Sequence, residues 1–316
     1  MKGHITDKKK KSEKKGAVKR IFLGALLIGI GALILGGCGS STEETQSEQE
    51  KTASAKKEDD KIQIGLTVDS FVIERWIRDR DVFVATAREM GADVNVQDAG
   101  ADAKEQISQI EYFISKQVDV IVVIARDCGA LSDVIQKAQN AGIPVISYDR
   151  MINNSNTNLY ISFDNRKVGE IMAQALIDAI PQGGDIFMIQ GSSTDNNVHM
   201  LKKGFDDVLK NSDLNVVYEA NCEGWMAELA EGYMEEALEK YPHVKGIMCG
   251  NDDIASQVVE VLAENQMAGD VIVVGQDGDL AACQRIVEGT QYMTAFKPIE
   301  DLAREAAKYA VEIGSG

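Results

Sequence analysis

The sequence predicts an α/β protein built as two Rossmann-like lobes, each a parallel sheet covered by helices, joined by a hinge. Three observations predict it. Short apolar runs alternate with segments of helical spacing; the alternation halts and restarts midway through the folded part; and Asp, Asn, Arg, Gln and Trp crowd the carboxyl ends of the apolar runs, while the opposite ends are short links such as "NAGIP" and "KQVD". With 316 residues, 44% of them hydrophobic, and four prolines, the chain can bury a large core and divide it between domains.

The first sixty residues stand apart from this pattern. Residues 1–20 hold nine Lys/Arg against Asp7 and Glu13, so without that +7 the total charge of −17 becomes −24 on the remainder. So acidic a body repels nucleic acid, which needs a basic footprint. Ile21 to Leu35 is an apolar run of 15 residues, short for a membrane span and laid out like a secretory signal. The tetrapeptide "LGGC" that follows resembles the lipobox of bacterial lipoproteins, which implies a signal peptide over residues 1–37 and lipidation of Cys38. An uncleaved helical anchor is the alternative, and either reading tethers the protein outside the cytoplasm. Residues 38–60, rich in Ser, Thr, Glu and Lys without an apolar period, are expected to form a disordered stalk.

From Lys61 the apolar runs "IQIGLTV", "DVNVQ", "DVIVVI" and "IPVIS" read as strands. Helical spacing separates them, as in Ile107, Ile110 and Ile114, or Leu131, Val134, Ile135 and Ala138. Nearly continuous apolar strands between amphipathic helices imply a parallel sheet covered on both faces. After "NLYISF" the pattern begins again. A helix over residues 166–180 carries Val168, Ile171, Met172, Ala175 and Ala179 on one face and stops at Pro181; strands follow at "DIFMIQ", "LNVVYE", "KGIMC" and "VIVVG". The expected lobes are residues 61–163 with 297–316, and residues 164–296.

In open α/β sheets the carboxyl ends of the strands face the ligand crevice. Here they read "TVDSFVIERW", "IARDCG", "SYDRMI", "QGSSTDNN", "ANCEGW", "CGNDD" and "GQDGD". Asp, Asn and Gln offer planar pairs of hydrogen-bonding atoms and Arg a fork of donors, which suit adjacent hydroxyls on a small polyol. Trp adds a flat apolar face for the C–H patches of a ring. A nucleotide would need a glycine-rich turn opening a helix, and neither G-x-G-x-x-G after a strand nor a Walker sequence occurs. A small, neutral, polar ligand fits best.

The strings "ERWIRDRDVF", "QISQIEYFI", "VISYDRMINN", "YISFDNRKVGE", "STDNN", "EGW", "GQDGDLAACQRIVEGTQ" and "FKPI" resemble the D-xylose-binding protein family, among the sugar-binding periplasmic proteins of ABC transporters. The likeness runs in order over about residues 61–313. It implies a type I periplasmic-binding-protein fold, two lobes joined by crossing strands that close on one sugar. Multi-sugar binders share "SQIE", "YDR", "FDN", "DNN" and "GQD", whereas "ERW" leans toward xylose.

Carried over residue by residue, the resemblance puts Arg75 and Trp76 at the first tip, where Trp76 is a ring platform or an ordinary helix-face residue. Asp149 and Arg150 would accept from and donate to hydroxyls, each keeping the other ionised; a surface ion pair is the alternative. Asp164 and Asn165 either touch the ligand or cap the next helix. Asn196 and Asn197 carry the same ambiguity, and the likeness favours Asn197 as the ligand contact. Trp225 would form the other wall, and Asn251, Asp252, Gln276 and Asp277 the remaining acceptors. Lys297 falls at the second crossing, or is a solvated lysine, with Pro298 starting the last helix.

Catalysis has little to recommend it. A glycosidase needs one acid held in an apolar pocket, and every candidate carboxylate has Arg, Asn or Lys beside it. His4, His199 and His243 suggest no triad; Cys128, Cys222, Cys249 and Cys283 form no metal spacing and leave disulfide pairing open; "GQDGDL" lacks the later acid of a calcium loop. The expected protein binds without cofactor or metal, as a monomer, and hands a monosaccharide to an ABC transporter permease. A sugar-sensing receptor component for chemotaxis or a sensor kinase is the alternative, and a repressor's ligand domain a weaker one. The resemblance also predicts a further segment after "AVEIGSG", returning toward the second lobe.

Overall fold

The computed structural model describes residues 61–316, so the expected signal peptide, Cys38 and the stalk lie outside the described residues. The first half runs β1 (Gln63–Val68), α1 (Arg75–Glu89), β2 (Asp93–Asp98), α2 (Ala103–Lys116), β3 (Val120–Ile124), α3 (Ser132–Asn140), β4 (Val145–Tyr148) and β5 (Leu159–Ile161). The second runs α4 (Asn165–Ala179), β6 (Gly184–Gln190), α5 (Asn196–Leu209), β7 (Leu214–Asn221), a 3-10 turn (Glu223–Trp225), α6 (Leu229–Lys240), β8 (Gly246–Cys249), α7 (Asp252–Glu264), β9 (Ile272–Asp277), α8 (Leu280–Glu288) and β10 (Met293–Phe296). Helix α9 (Ile299–Ser315) closes the chain.

Two five-stranded sheets result, in the orders β2-β1-β3-β4-β5 and β10-β9-β8-β6-β7. Every pairing between named strands is parallel. The reason lies in the strands: all five residues of β3 are buried, so both faces must be covered, and only crossover helices can do that. On one face Ile121 and Val123 meet Ile110, Phe113 and Ile135 of α2 and α3. On the other, Val120 and Val122 share a core with Phe83 of α1 and Ala303 and Ala307 of α9. The second sheet repeats the scheme, with Ile186 and Met188 against Met172, Leu201 and Phe205 of α4 and α5. The chain therefore passes between sheets twice, after β5 and after β10. Strand β10, four residues with its last side chain exposed, was not expected from the sequence.

Both sheets reverse strand order near their middle, between β2-β1 and β3 and between β8 and β6-β7, and crevices form outside such points. Carboxamides and carboxylates start the helices there. Asp164 accepts from Lys167 N at 2.9 Å, Asp195 from Asn197 N at 2.9 Å and Asn251 from Ile254 N at 2.9 Å, satisfying amides that the first turn leaves free.

Candidate functional site

The strand tips of both lobes converge on a small cavity. From the first lobe come Ile73, Arg75 and Trp76 at the start of α1, with Asp149 and Arg150 just past β4. From the second come Asp195, Asn197, Trp225, Asn251, Gln276 and Asp277, and Lys297 joins them at the return crossing. Of the residues expected at the site, Asp252 and Asn165 are not on this wall. Asp252 accepts from Gly278 N, Asp279 N and Thr294 Oγ1 instead. Asn165 is the first residue of α4 and buried, and its Nδ2 donates to Ser162 Oγ and Phe163 O. Ser162 Oγ in turn donates to the Asp149 carbonyl at 2.6 Å, so Asn165 acts on the wall through its neighbour.

Adjacent in sequence, Asp149 and Arg150 support each other's charge, but they share no hydrogen bond and each is oriented by other partners. Asp149 sits at φ +61°. Its carboxylate accepts from Arg75 Nη2 at 3.0 Å and from Asn197 Nδ2 at 2.8 Å. Arg150 donates to Asp69 Oδ2 at 2.6 Å and to the Ala125 carbonyl, and its Nε lies 2.7 Å from Asp195 Oδ2. The Arg150 guanidinium carbon lies 5.4 Å from the ring centre of Trp76 and 5.7 Å from that of Trp225, within range for a cation–π attraction to both. Lys297 pairs with Asp277 at 3.2 Å, and Asp277 also faces Arg75 at 3.7 Å.

The wall thus carries three cations and three carboxylates, each within 4 Å of an opposite charge. Burial tends to raise the Asp149 carboxyl, but Arg75, Lys297 and Arg150 outweigh it and hold the group below the usual carboxylate range. Burial likewise opposes the charge on Arg75, and Asp149, Asp79 and Asp277 overcome it, leaving the guanidinium still harder to deprotonate. Asp195 is pushed up by burial, yet it accepts from Asn197 N and from Trp225 Nε1 at 3.2 Å besides facing Arg150, an arrangement built around the ionised form.

Against that paired background some wall atoms stand apart. Trp76 Nε1, Asn197 Oδ1 and Gln276 Oε1 are buried and make no hydrogen bond to protein. Orphaned groups of this kind each cost about 1–3 kcal/mol unless a partner arrives. Three wall residues, Asp149, Trp225 and Asp277, also adopt positive φ, at +61°, +61° and +106°. Such backbone is disfavoured for non-glycine residues and clusters where a side chain must be aimed. Among the described residues no group of three or more His, Cys, Asp and Glu could hold a metal ion, and Cys128, Cys222, Cys249 and Cys283 are free thiols.

A model of the periplasmic binding protein domain matches residues 64–316. The chain belongs to that family. This periplasmic binding protein is 43% identical over 258 residues to the D-xylose-binding periplasmic protein of Haemophilus influenzae, covering 80% of this chain and 77% of the relative. It is 42% identical over 260 residues to the protein of the same description from Escherichia coli K12, covering 81% and 78%. Among solved structures it is similar to an ABC transporter solute binding protein from Clostridium phytofermentans with bound beta-D-glucose, at TM-score 0.75 and 28% identity, covering 80% of this chain and 85% of that one.

Sequence reasoning about this periplasmic binding protein missed Asp195 and Ile73 on the wall, and Asp69 behind Arg150. Asp69 directly follows β1, so the strand-end rule could have found it. Asp195 was hidden by its second role as the cap of α5.

Proposed function

We propose that the chain is the substrate-binding component of a sugar ABC transporter, taking one uncharged monosaccharide, D-xylose first, between its lobes and leaving its bonds intact. The observation that carries this reading is the wall itself: charges from both lobes that balance and pair, two tryptophans, and a few unpartnered donors and acceptors. An anion or cation would leave such a wall with unbalanced charge; a polyol adds hydroxyls to the orphaned atoms and leaves the pairs in place. The D-xylose-binding relatives and the glucose-bound neighbour support the same class of ligand.

The ligand residues in this reading are Arg75, Trp76, Asp149, Arg150, Asn197, Trp225, Asn251, Gln276, Asp277 and Lys297. Residues 61–163 with 297–316 form one lobe and residues 164–296 the other. The protein works outside the cytoplasm as a monomer, held to the membrane through lipid on Cys38, and passes its sugar to a permease. Calorimetric titration with xylose, glucose, galactose, ribose and arabinose tests the central statement. Xylose is expected to bind tightest; a protein that binds none of the five would overturn it.

A further inference from the structure

Two buried residues behind the wall have no part in the proposed contacts. Asp79 and Tyr148 are 1% and 2% exposed, and neither lines the cavity. Asp79 lies one helical turn beyond Arg75 on α1, so the two side chains share a face. Its carboxylate takes the Nε edge of the guanidinium, from Nε at 3.3 Å and from Nη2 at 3.2 Å. Asp149 takes Nη2 as well, at 3.0 Å. Of the five N–H bonds that a guanidinium offers, those on Nη1 remain. Nη1 lies 3.7 Å from Asp277 Oδ1, which reaches the cavity from the other lobe.

A carboxylate on a single helix can turn about its own side-chain bonds. Tyr148 prevents that, because its phenol donates to Asp79 Oδ1 from the end of β4. Tyr148 also immediately precedes Asp149 in the chain. One strand end therefore fixes Arg75 from two directions, through the Asp149 carboxylate and through the phenol on Asp79.

The geometry points to Asp79 and Tyr148 as positioning residues that aim the Nη1 edge of Arg75 at a ligand hydroxyl. This inference rests on the sugar-binding reading. Without the clamp the guanidinium is free to swing its Nη1 edge fully onto Asp277, and the hydroxyl loses a fixed donor. Charge alone would be satisfied by the carboxylates of Asp149 and Asp277; what Asp79 and Tyr148 add is direction.

The test uses the full chain and Tyr148→Phe, which deletes one oxygen, with Asp79→Asn as a second variant and Arg75→Lys as a reference. D-xylose and its mono-deoxy analogues are titrated into each. Arg75→Lys identifies the hydroxyl that Arg75 contacts as the one whose removal no longer matters. Tyr148→Phe is expected to weaken D-xylose by about tenfold, the scale of one hydrogen bond to a charged group. The loss should fall on that same hydroxyl, so that the matching deoxy sugar binds variant and parent alike. A loss spread evenly over all the deoxy sugars, or no loss, overturns the inference. Hydrogen exchange at Arg75 Nε, followed by NMR without sugar, gives a readout that does not depend on the ligand. It should quicken at least about tenfold in Tyr148→Phe at unchanged global stability, and unchanged exchange overturns the clamp. If the parent binds no sugar at all, the transport reading fails, while the exchange measurement still decides whether Tyr148 and Asp79 hold Arg75.

Discussion

Asp279, the residue before α8, shows how burial and crowding act on a single group. Burial, and then Asp277, Asp252 and Asp253, push its carboxyl up to about 7, although Arg78 of the other lobe donates to it at 2.5 Å. Burial raises nearby Asp252 to about 6. A carboxyl whose pKa is higher folded than unfolded binds its proton more tightly in the native state. It contributes stability that is fully present below its unfolded value of 3.8 and is lost as pH rises through about 7. Asp149 has the opposite sign: its stabilisation is present above 3.8 and lost as pH falls through its lowered folded value. Replacing Asp279 with Asn fixes the neutral form, so the parent and Asp279→Asn should have similar stabilities near pH 4. Their curves should then separate, with the variant the more stable by pH 8. Urea unfolding across that range checks this, and parallel curves would show that the proton on Asp279 has no bearing on folding. None of it was readable in "GQDGDL", because the shift depends on which carboxylates the fold packs around Asp279.

At the scale of elements, most of the fold was legible because apolar runs and helical spacing report burial directly. Strand β3, all of it buried, could hardly be read otherwise. Strand β10 escaped notice because an edge strand needs only one covered face; of "MTAF" only Ala295 is fully buried. Helix contacts were also invisible, and the packing of α4 on α5 is the case with consequences. A Cβ added at Gly169 would lie 2.0 Å from the Leu201 carbonyl oxygen, and one at Gly204 would lie 2.0 Å from that of Arg166. These helices touch backbone to backbone. Alanine is the better helix former by about 1 kcal/mol, so propensity alone predicts that Gly169→Ala stabilises. Steric overlap with backbone, which cannot rotate aside, predicts the reverse, a loss of roughly 1–3 kcal/mol or more. The overlap should win, and the urea midpoint of Gly169→Ala or Gly204→Ala should fall. The starts of these helices carry Asn165, Asp195 and Asn197, so sugar affinity should drop with it. A midpoint that rises would mean that the helices can separate at little cost.

For the whole molecule, the wall of the cavity was legible to the extent that strand ends share one side of each sheet. Arg75 and Lys297 could be placed together although 222 positions separate them in the chain. Partner choice was not legible, since the hydrogen bonds of Asp149 to Arg75 and Asn197, not to Arg150, depend on the folded arrangement. Those partners decide how the lobes meet. Arg150 faces Asp195 at 2.7 Å, Asn197 donates to Asp149 at 2.8 Å, and Arg78 holds Asp279, so each bond joins one lobe to the other. A sugar held from both sides should favour the arrangement in which all of them form, because only there are both sets of its hydroxyl contacts complete. Solution scattering should therefore show a smaller radius of gyration in the saturated parent, and no change on saturation would sink hinge closure. Asn197→Asp sharpens the test. It swaps a donor for a carboxylate opposite Asp149, where burial leaves little solvent to screen two like charges. That variant should fold normally, since the N-terminal turn of α5 favours an acid. With saturating D-xylose it should stay more expanded than the parent at neutral pH and approach the parent's size as acid protonates the new pair.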